Sequence, residues 1–251
     1  MKVLAIDVGG THVKMLATDQ KTPQEFISGP KMTAKKMVST VKKCAARWHY
    51  EVVSVGYPGP VVHGRIIQEP HNLGSGWVKF DFEQTFGCPV KIINDAAMQA
   101  LGSYTGGSML FLGLGTGLGS AMIVNGLLEP MELGHLPYRK ATYEDYVGLR
   151  GLKRFGQKKW RKYVADVVER LTAALEPDDI VLGGGNLKRL RELPMRCRLG
   201  DNANAFVGGF RLWMQDEKSG THRNRAAHSA IGIALFSHQP CPPDSSGRDR
   251  N

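Results

Sequence analysis

Residues Leu110–Gly126 read LFLGLGTGLGSAMIVNG. A hydrophobic run enters four glycines within seven residues, Gly113, Gly115, Gly117 and Gly119, and a second hydrophobic run leaves them. Glycine has no Cβ, so the chain can turn sharply there and another group can approach the backbone closely. Successive N–H groups in such a turn converge into a concave anion site. The spacing completes neither G-x-G-x-x-G nor the Gly-Lys-Ser/Thr of a P-loop. Both of those motifs open a helix, whereas Ser120–Val124 reads as a second strand. A plain hairpin turn and a phosphate loop both stand at this point.

The N-terminus repeats the device. Met1–Asp19 reads MKVLAIDVGGTHVKMLATD: a strand, a Gly-Gly-Thr turn and a second strand-like run. Two copies about a hundred residues apart indicate an internal duplication. Asp7 closes the first strand and Lys14 follows the turn. Two matched hairpins suggest two lobes facing a cleft, where a phosphate chain and its metal would sit between the turns.

Further strands are expected at 52–56, 65–68, 90–93, 109–112 and 180–182. Met37, Val38, Val41, Cys44, Ala45 and Trp48 share one helical face. Trp160, Tyr163, Val164, Val167, Val168, Leu171, Ala174 and Leu175 form a longer apolar stripe over 157–175, ended by Pro177. Asp95–Tyr104 reads as a short helix capped by Asn94. Strands alternating with helices imply an α/β fold, with a lobe boundary near Gly106–Gly107.

The 251 residues are 42% hydrophobic, enough for one large domain or two lobes. No leader and no membrane-length apolar run is visible, so no membrane partner is expected. Cys44, Cys88, Cys197 and Cys241 are scattered, which argues against a zinc cluster or a disulfide framework and suits a reducing cytoplasm. The net charge of +10 favours polyanionic partners. No nucleic-acid-binding motif accompanies it. Part of that charge lies in 215–251, read as a basic, partly disordered tail in which Ala226–Phe236 is a candidate short helix.

Several polar groups fall at expected strand ends. In VKIINDAAMQALG (Val90–Gly102) a strand runs into Asn94–Asp95. The pair suits a helix cap. Asp95 also suits a general base, since open α/β sheets bind ligands at the carboxyl ends of their strands. Glu132 and His135 in EPMELGHLP suit either a pair that hydrogen-bonds sugar hydroxyls or a salt-linked surface turn, and His71 and Asn72 with Trp77 in EPHNLGSGW add the amide and aromatic groups that a sugar site uses. DDIVLGGGNL (Asp178–Leu187) reads as a strand, three glycines and a helix, either a tight turn or a seat for a purine. Arg150–Lys162 (RGLKRFGQKKWRK) carries seven basic residues and no acid. It is either a solvated helix face or a track for polyphosphate.

Seven segments in order resemble the ROK sugar kinases of the actin-like ATPase superfamily: Asp7–Lys14, Gly56–Val61, Asn72–Trp77, Asn94–Gly102, Leu112–Ala121, Glu132–His135 and Val181–Asn186. The resemblance implies an α/β fold of two ribonuclease-H-like lobes around a central cleft. Residues 1–106 would carry the first phosphate loop, sugar site and catalytic Asp95. Residues 107–214 would carry the second phosphate loop and nucleotide site. It implies that Asn72, Asn94, Glu132, His135 and Gly59 bind the sugar. Asp7, Gly9, Gly10, Thr11, Lys14, Gly115, Thr116, Gly117, Gly184 and Gly185 would bind phosphate and nucleotide, with Asp7 also toward Mg²⁺. Many members bind zinc through the His and a following cysteine cluster. This chain lacks the cluster, so no zinc site is expected, and ELGHL (Glu132–Leu136) resembles the polyphosphate glucokinase branch. The implied activity moves phosphate from polyphosphate, ATP or both to the 6-hydroxyl of glucose, in a cytoplasmic homodimer. An ATP-only kinase for another hexose or amino sugar is the alternative. A non-catalytic sugar-binding regulator is the alternative of a different class; regulators in the family carry a DNA-binding segment ahead of the first loop, which is not expected here because that loop follows Met1 at once, and no actin-like filament surface is expected.

Overall fold

The computed structural model describes residues 1–201 and 203–214. The expectations for the basic tail, including the helix at Ala226–Phe236, lie outside the described residues. The chain runs through β1 (Val3–Val8), β2 (His12–Ala17), β3 (Gln24–Ile27), α1 (Ala34–Cys44), β4 (Val52–Tyr57) and the small ribbon of β5 (Val61–Val62) and β6 (Arg65–Ile66). It continues through α2 (Phe82–Phe86), β7 (Val90–Asn94) and α3 (Asp95–Ser103). Then follow β8 (Ser108–Leu114), β9 (Leu118–Val124), β10 (Leu127–Met131), the ribbon of β11 (Pro137–Tyr138) and β12 (Ala141–Thr142), α4 (Tyr143–Val147), α5 (Leu149–Leu175), β13 (Asp179–Gly183) and β14 (Cys197–Leu199). A last helix spans 204–214.

The duplication is visible in topology. One sheet is ordered β3-β2-β1-β4-β7 and the other β10-β9-β8-β13-β14. Each has an antiparallel meander of three strands, then two strands added in parallel beyond the first strand of the meander. β4 is buried along its whole length, as a central parallel strand must be. β2 alternates between buried and half-buried positions, the period of a strand with one face on the core.

Besides the two-residue strands β5, β11 and β12 of the small ribbons, three strands of the two large sheets escape the sequence pattern, and all three are sheet edges. β3 (QEFI) turns only Phe26 toward the core. β10 (LLEPM) contains Pro130, which an edge strand tolerates because its N–H side needs no partner. β14 has three residues. β7 differs too: it is an edge strand with only Ile92 fully buried, not the buried strand its apolar run suggests. α5 starts eight residues before the expected 157 and is kinked at Gly156 (φ 71°, ψ 162°), a conformation only glycine adopts readily. Of its apolar stripe, Ala174 is exposed. No helix follows the Gly-Gly-Gly turn; there is one 3₁₀ turn, Leu187–Arg189.

α3 binds the two sheets together. Ala96, Ala97, Ala100 and Leu101 pack with Met109, Phe111, Ala121, Ile123 and Val181 of the second sheet. Gly56 of β4 lies beneath Met98: a Cβ there would meet the Met98 methyl at 2.5 Å and the Asp95 Cα at 3.5 Å. The 204–214 helix returns to α3 and the first sheet. Ser54 Oγ donates to Gly209 O (2.6 Å), Trp213 Nε1 donates to Ser54 Oγ (2.9 Å), and Arg211 donates to Leu101 O and Tyr104 O, each at 2.9 Å.

An aromatic cluster supports the segment after His135. Tyr138 packs on Tyr143 (5.2 Å between ring centres) and Tyr146 (5.0 Å), and Tyr146 on Phe155 (5.1 Å) and Tyr163 (5.0 Å). The Tyr138 hydroxyl donates a short hydrogen bond to Asp166, which also faces Arg170 (3.2 Å) and Arg139 (3.9 Å). Hydrogen bonds to a charged partner contribute about 1.5–3 kcal/mol. Tyr138→Phe should therefore lower the thermal midpoint by several degrees, at roughly 2–4 °C per kcal/mol for a chain this long. An unchanged melting curve would show that the two arginines satisfy Asp166 alone.

Candidate active site

Parallel pairing sets the site. Asp7 pairs with Gly56, and Tyr57 with Asn94, so the carboxyl ends of β1, β4 and β7 lie side by side. In the second sheet Gly183 pairs with Gly113, so the Gly115–Gly117 turn and Gly184–Gly185 share one end too. Ligands of open α/β sheets gather at such ends.

Asn94 is the cap of α3. Its Oδ1 accepts from Ala96 N (2.9 Å) and Ala97 N (3.2 Å), and its Nδ2 donates to Gly59 O (3.2 Å). One amide hydrogen remains for a ligand. Asp95 is the first helical residue, and its Oδ1 accepts from Ala96 N at 2.8 Å. Burial pushes its carboxyl up to about 7; the charges of Asp7 and Glu132 act in the same direction, and the Ala96 hydrogen bond opposes them. Burial likewise pushes Asp7 up to about 6, against the pull of Lys14. Asp7 and Lys14 are direct cross-strand partners, so both side chains lie on one face of the first hairpin.

Glu132 stands just ahead of the 3₁₀ turn Leu133–His135, and His135 N donates to Glu132 O (3.1 Å). Desolvation raises the Glu132 carboxyl; His135 lowers it and Glu144 raises it further. Asp7, Asp95, Glu132 and His135 are therefore one electrostatic neighbourhood drawn from both halves of the chain.

Asn72 sits against the first turn: a Cβ on Gly10 would meet the Asn72 Cβ at 3.3 Å. Trp77 and His71 depart from the sugar-facing expectation. Trp77 is 1% exposed and donates from Nε1 to Gly74 O (2.8 Å), so it is the foundation of the 72–77 loop. His71 is exposed. In the first turn, Gly9 N donates to His12 O (2.9 Å) and Ser28 Oγ donates to Gly9 O (2.6 Å), leaving Gly10 and the exposed Thr11 at the tip.

The second turn is braced from two sides. Leu149 N, at the start of α5, donates to Gly115 O (3.1 Å) and Thr116 O (3.0 Å). Asn186 Nδ2 donates to Gly115 O at 2.7 Å. Gly184 (φ 92°) is glycine because its Cβ would lie 2.5 Å from Leu114 O, so its close approach is to the chain itself. Gly185 faces open space. One neighbour of the site escapes sequence reasoning, Glu144. Glu144 lies over Gly117, in α4. The signal for α4 is its capping box, Thr142 with Asp145 three residues on.

Asp7 and Asp95 offer hard carboxylate oxygens beside two phosphate-sized turns. That fits Mg²⁺, which binds through one or two carboxylates and the substrate's phosphates. No group of three or more His, Cys, Asp or Glu suited to hold a metal occurs among the described residues. No described helix is long and apolar enough to cross a membrane.

The comparisons with known proteins agree with this geometry. The ROK family model matches residues 3–143. A polyphosphate glucokinase of Mycobacterium tuberculosis (strain CDC 1551 / Oshkosh) is 30% identical over 202 residues, covering 72% of this chain and 76% of the relative. The crystal structure of an inorganic polyphosphate/ATP-glucomannokinase from Arthrobacter sp. strain KM superposes with a TM-score of 0.73 at 26% identity, over 85% of this chain and 99% of that one. A ROK family glucokinase from Streptomyces griseus, in complex with glucose and AMPPNP, shares the fold with a TM-score of 0.70 at 17% identity, over 84% of this chain and 99% of that one. With two sheets of one topology meeting at α3, and with these relatives, the chain belongs to the ROK family, in the actin-like ATPase fold, and is a sugar phosphotransferase.

Proposed function

We propose that the protein phosphorylates the 6-hydroxyl of glucose, taking the phosphoryl group from inorganic polyphosphate, ATP or both. The observation that carries the reading is Asp95. Its carboxyl stands at the end of β7, raised to about 7, beside Asp7 and within reach of the Glu132 field. A carboxyl tuned near neutrality takes a proton well from an attacking hydroxyl. Asn72, Asn94, Glu132 and His135 orient the sugar, with Gly59 shaping the wall behind Asn94. The N–H groups of Gly10 and Thr11, and of Thr116 and Gly117, hold phosphate oxygens, while Gly9 and Gly115, whose N–H groups are taken by His12 O and by Gly113 O and Gly117 O, fix the two turns and leave room for the phosphates. Lys14 adds positive charge at the first turn. Gly184 and Gly185 border the nucleotide when ATP is the donor. Asp7, with Asp95 beside it, would hold Mg²⁺, which neutralises charge on the transferred group.

In this reading residues 1–106 and 107–214 are the lobes that close on the sugar, and the working form is a cytoplasmic homodimer. The Mycobacterium relative is named a polyphosphate glucokinase and the Arthrobacter one a polyphosphate/ATP-glucomannokinase, which supports glucose as an acceptor and polyphosphate as a donor. The test is hexose 6-phosphate formation by purified protein with Mg²⁺ and either donor. Glucose 6-phosphate from polyphosphate is the expected result. Product from ATP alone would remove the polyphosphate donor. Product from another sugar but not from glucose would overturn the acceptor.

A further inference from the structure

The basic run of α5 does not face solvent alone. α5 begins on the second glycine turn through Leu149 N, and a Cβ on Gly148 would meet Thr116 O at 2.6 Å, so turn and helix start are one rigid piece. A second wall starts from the same turn. Asn186 is bound to Gly115 O and Leu114 O, and the chain then continues through the 3₁₀ turn at Leu187–Arg189 to Pro194. Arg161 Nε donates to Arg189 O at 2.6 Å and ties this wall to α5. Between them lies a groove of about 360 Å³, lined by Arg161, Lys162, Ala165, Leu190, Arg191 and Glu192 with the two residues after it. Lys162 and Arg191 are exposed on opposite walls. Lys158 lies one turn before Lys162 on the same helix face, also exposed.

We propose that this groove is a distal subsite for a linear condensed phosphate whose terminal phosphoryl group lies at the Gly115–Gly117 turn. The proposal rests on the polyphosphate-donor reading above. The groove lining holds three cations against one carboxylate, with the apolar Ala165, Leu190, Leu193 and Pro194 between them, and contains no aromatic ring. Single-stranded nucleic acid is held by charge together with aromatic stacking. Here Trp160 is buried, and Phe155 and Tyr163 are engaged in the aromatic cluster. The excess of cations, with no ring free to stack on a base, suits a repeating anion without bases. α5 bends at Gly156, so the distance from turn to groove is set by the other wall: from Asn186, held on Gly115 O, the 3₁₀ turn to Arg189 rises by about 6 Å, at about 2 Å per residue. A donor that extends past this span gains the contacts with Lys162 and Arg191, so a long chain should gain more of them than tripolyphosphate does.

The experiment compares Lys162→Gln/Arg191→Gln with Lys35→Gln/Lys36→Gln, an equal charge loss on exposed residues of α1. Arg161 stays, because it holds the loop. Binding of long-chain polyphosphate is measured across a salt series, and KM is measured for long-chain polyphosphate, tripolyphosphate and ATP. The groove variant should reduce the slope of log affinity against log salt by about 1.4, at roughly 0.7 per contact. It should also raise KM for the long chain and remove its advantage over tripolyphosphate. The α1 variant should do neither. Equal losses in both variants, or an unchanged chain-length preference in the groove variant, would overturn the subsite while leaving the donor reading intact. Wild-type protein that uses ATP but neither phosphate polymer would sink the donor reading itself. Weakened binding of a single-stranded oligonucleotide, with polyphosphate binding intact, would reassign the groove to nucleic acid.

Discussion

Asp95→Asn should lower kcat for sugar phosphorylation by about 10²–10⁴-fold, the usual contribution of a positioned general base. That is roughly 3–5 kcal/mol of barrier. The carboxamide keeps the shape and the oxygen that accepts from Ala96 N, so α3 keeps its first turn. Sugar affinity should change little, because only the proton acceptor is lost. The wild-type pH profile should fall on its acid side near pH 7, where burial, Asp7 and Glu132 hold the Asp95 carboxyl. The same shift makes a claim about stability. The folded-state value lies above that of an unfolded aspartate, about 3.9. Between those values the folded state binds more protons than the unfolded state, so stability falls as pH rises through the window. Above pH 7 the ionised carboxylate is a cost that the amide lacks. Asp95→Asn should thus melt higher than wild type at pH 8, with the gap closing toward pH 4. Equal melting at pH 8 would show that the carboxylate is not strained, and normal turnover by the variant would remove Asp95 as the base.

Gly208→Ala should destabilise the protein by about 3 kcal/mol or more, at the upper end of what overpacking costs. Helix propensity argues the other way, since alanine is favoured over glycine in a helix interior by about 1 kcal/mol. The geometry decides. A Cβ at Gly208 would stand 1.8 Å from Met98 O, and one at Gly102 would stand 1.8 Å from Asn204 O. Both obstacles are backbone atoms, so relief requires α3 and the 204–214 helix to separate. Asp95 begins α3, so kcat should fall along with stability. Gly185→Ala, where an added Cβ meets nothing within 4 Å, should leave stability within about 0.5 kcal/mol. Denaturant unfolding of the two variants side by side checks the contrast. Equal midpoints would show that the crossing relaxes at little cost.

The long, well-patterned elements were legible in the chain. β1, β4, β8 and β13 are apolar runs buried on both faces, and α1 carries its stripe at helical spacing. Elements whose stability comes from neighbours were not. β3 buries little, β10 contains a proline and α4 is five residues long, so local pattern is weak in each. Trp77 misled for a related reason. Composition places an aromatic near a sugar site, but only packing decides whether its ring faces ligand or core.

The sequence alone determined the duplicated strand–turn–strand plan, the bare turns at Gly9–Thr11 and Gly115–Gly117, and the cap at Asn94–Asp95. These depend on backbone freedom and hydrogen bonding within a few residues. Tertiary structure alone decided that Asp7, Asp95, Glu132 and His135 share one field, that Gly102 and Gly208 exist to let two helices touch, and that Arg191 faces Lys162 across a groove. Those relations join residues far apart in the chain, and burial, charge and steric contact between them exist only once both sheets have closed on α3.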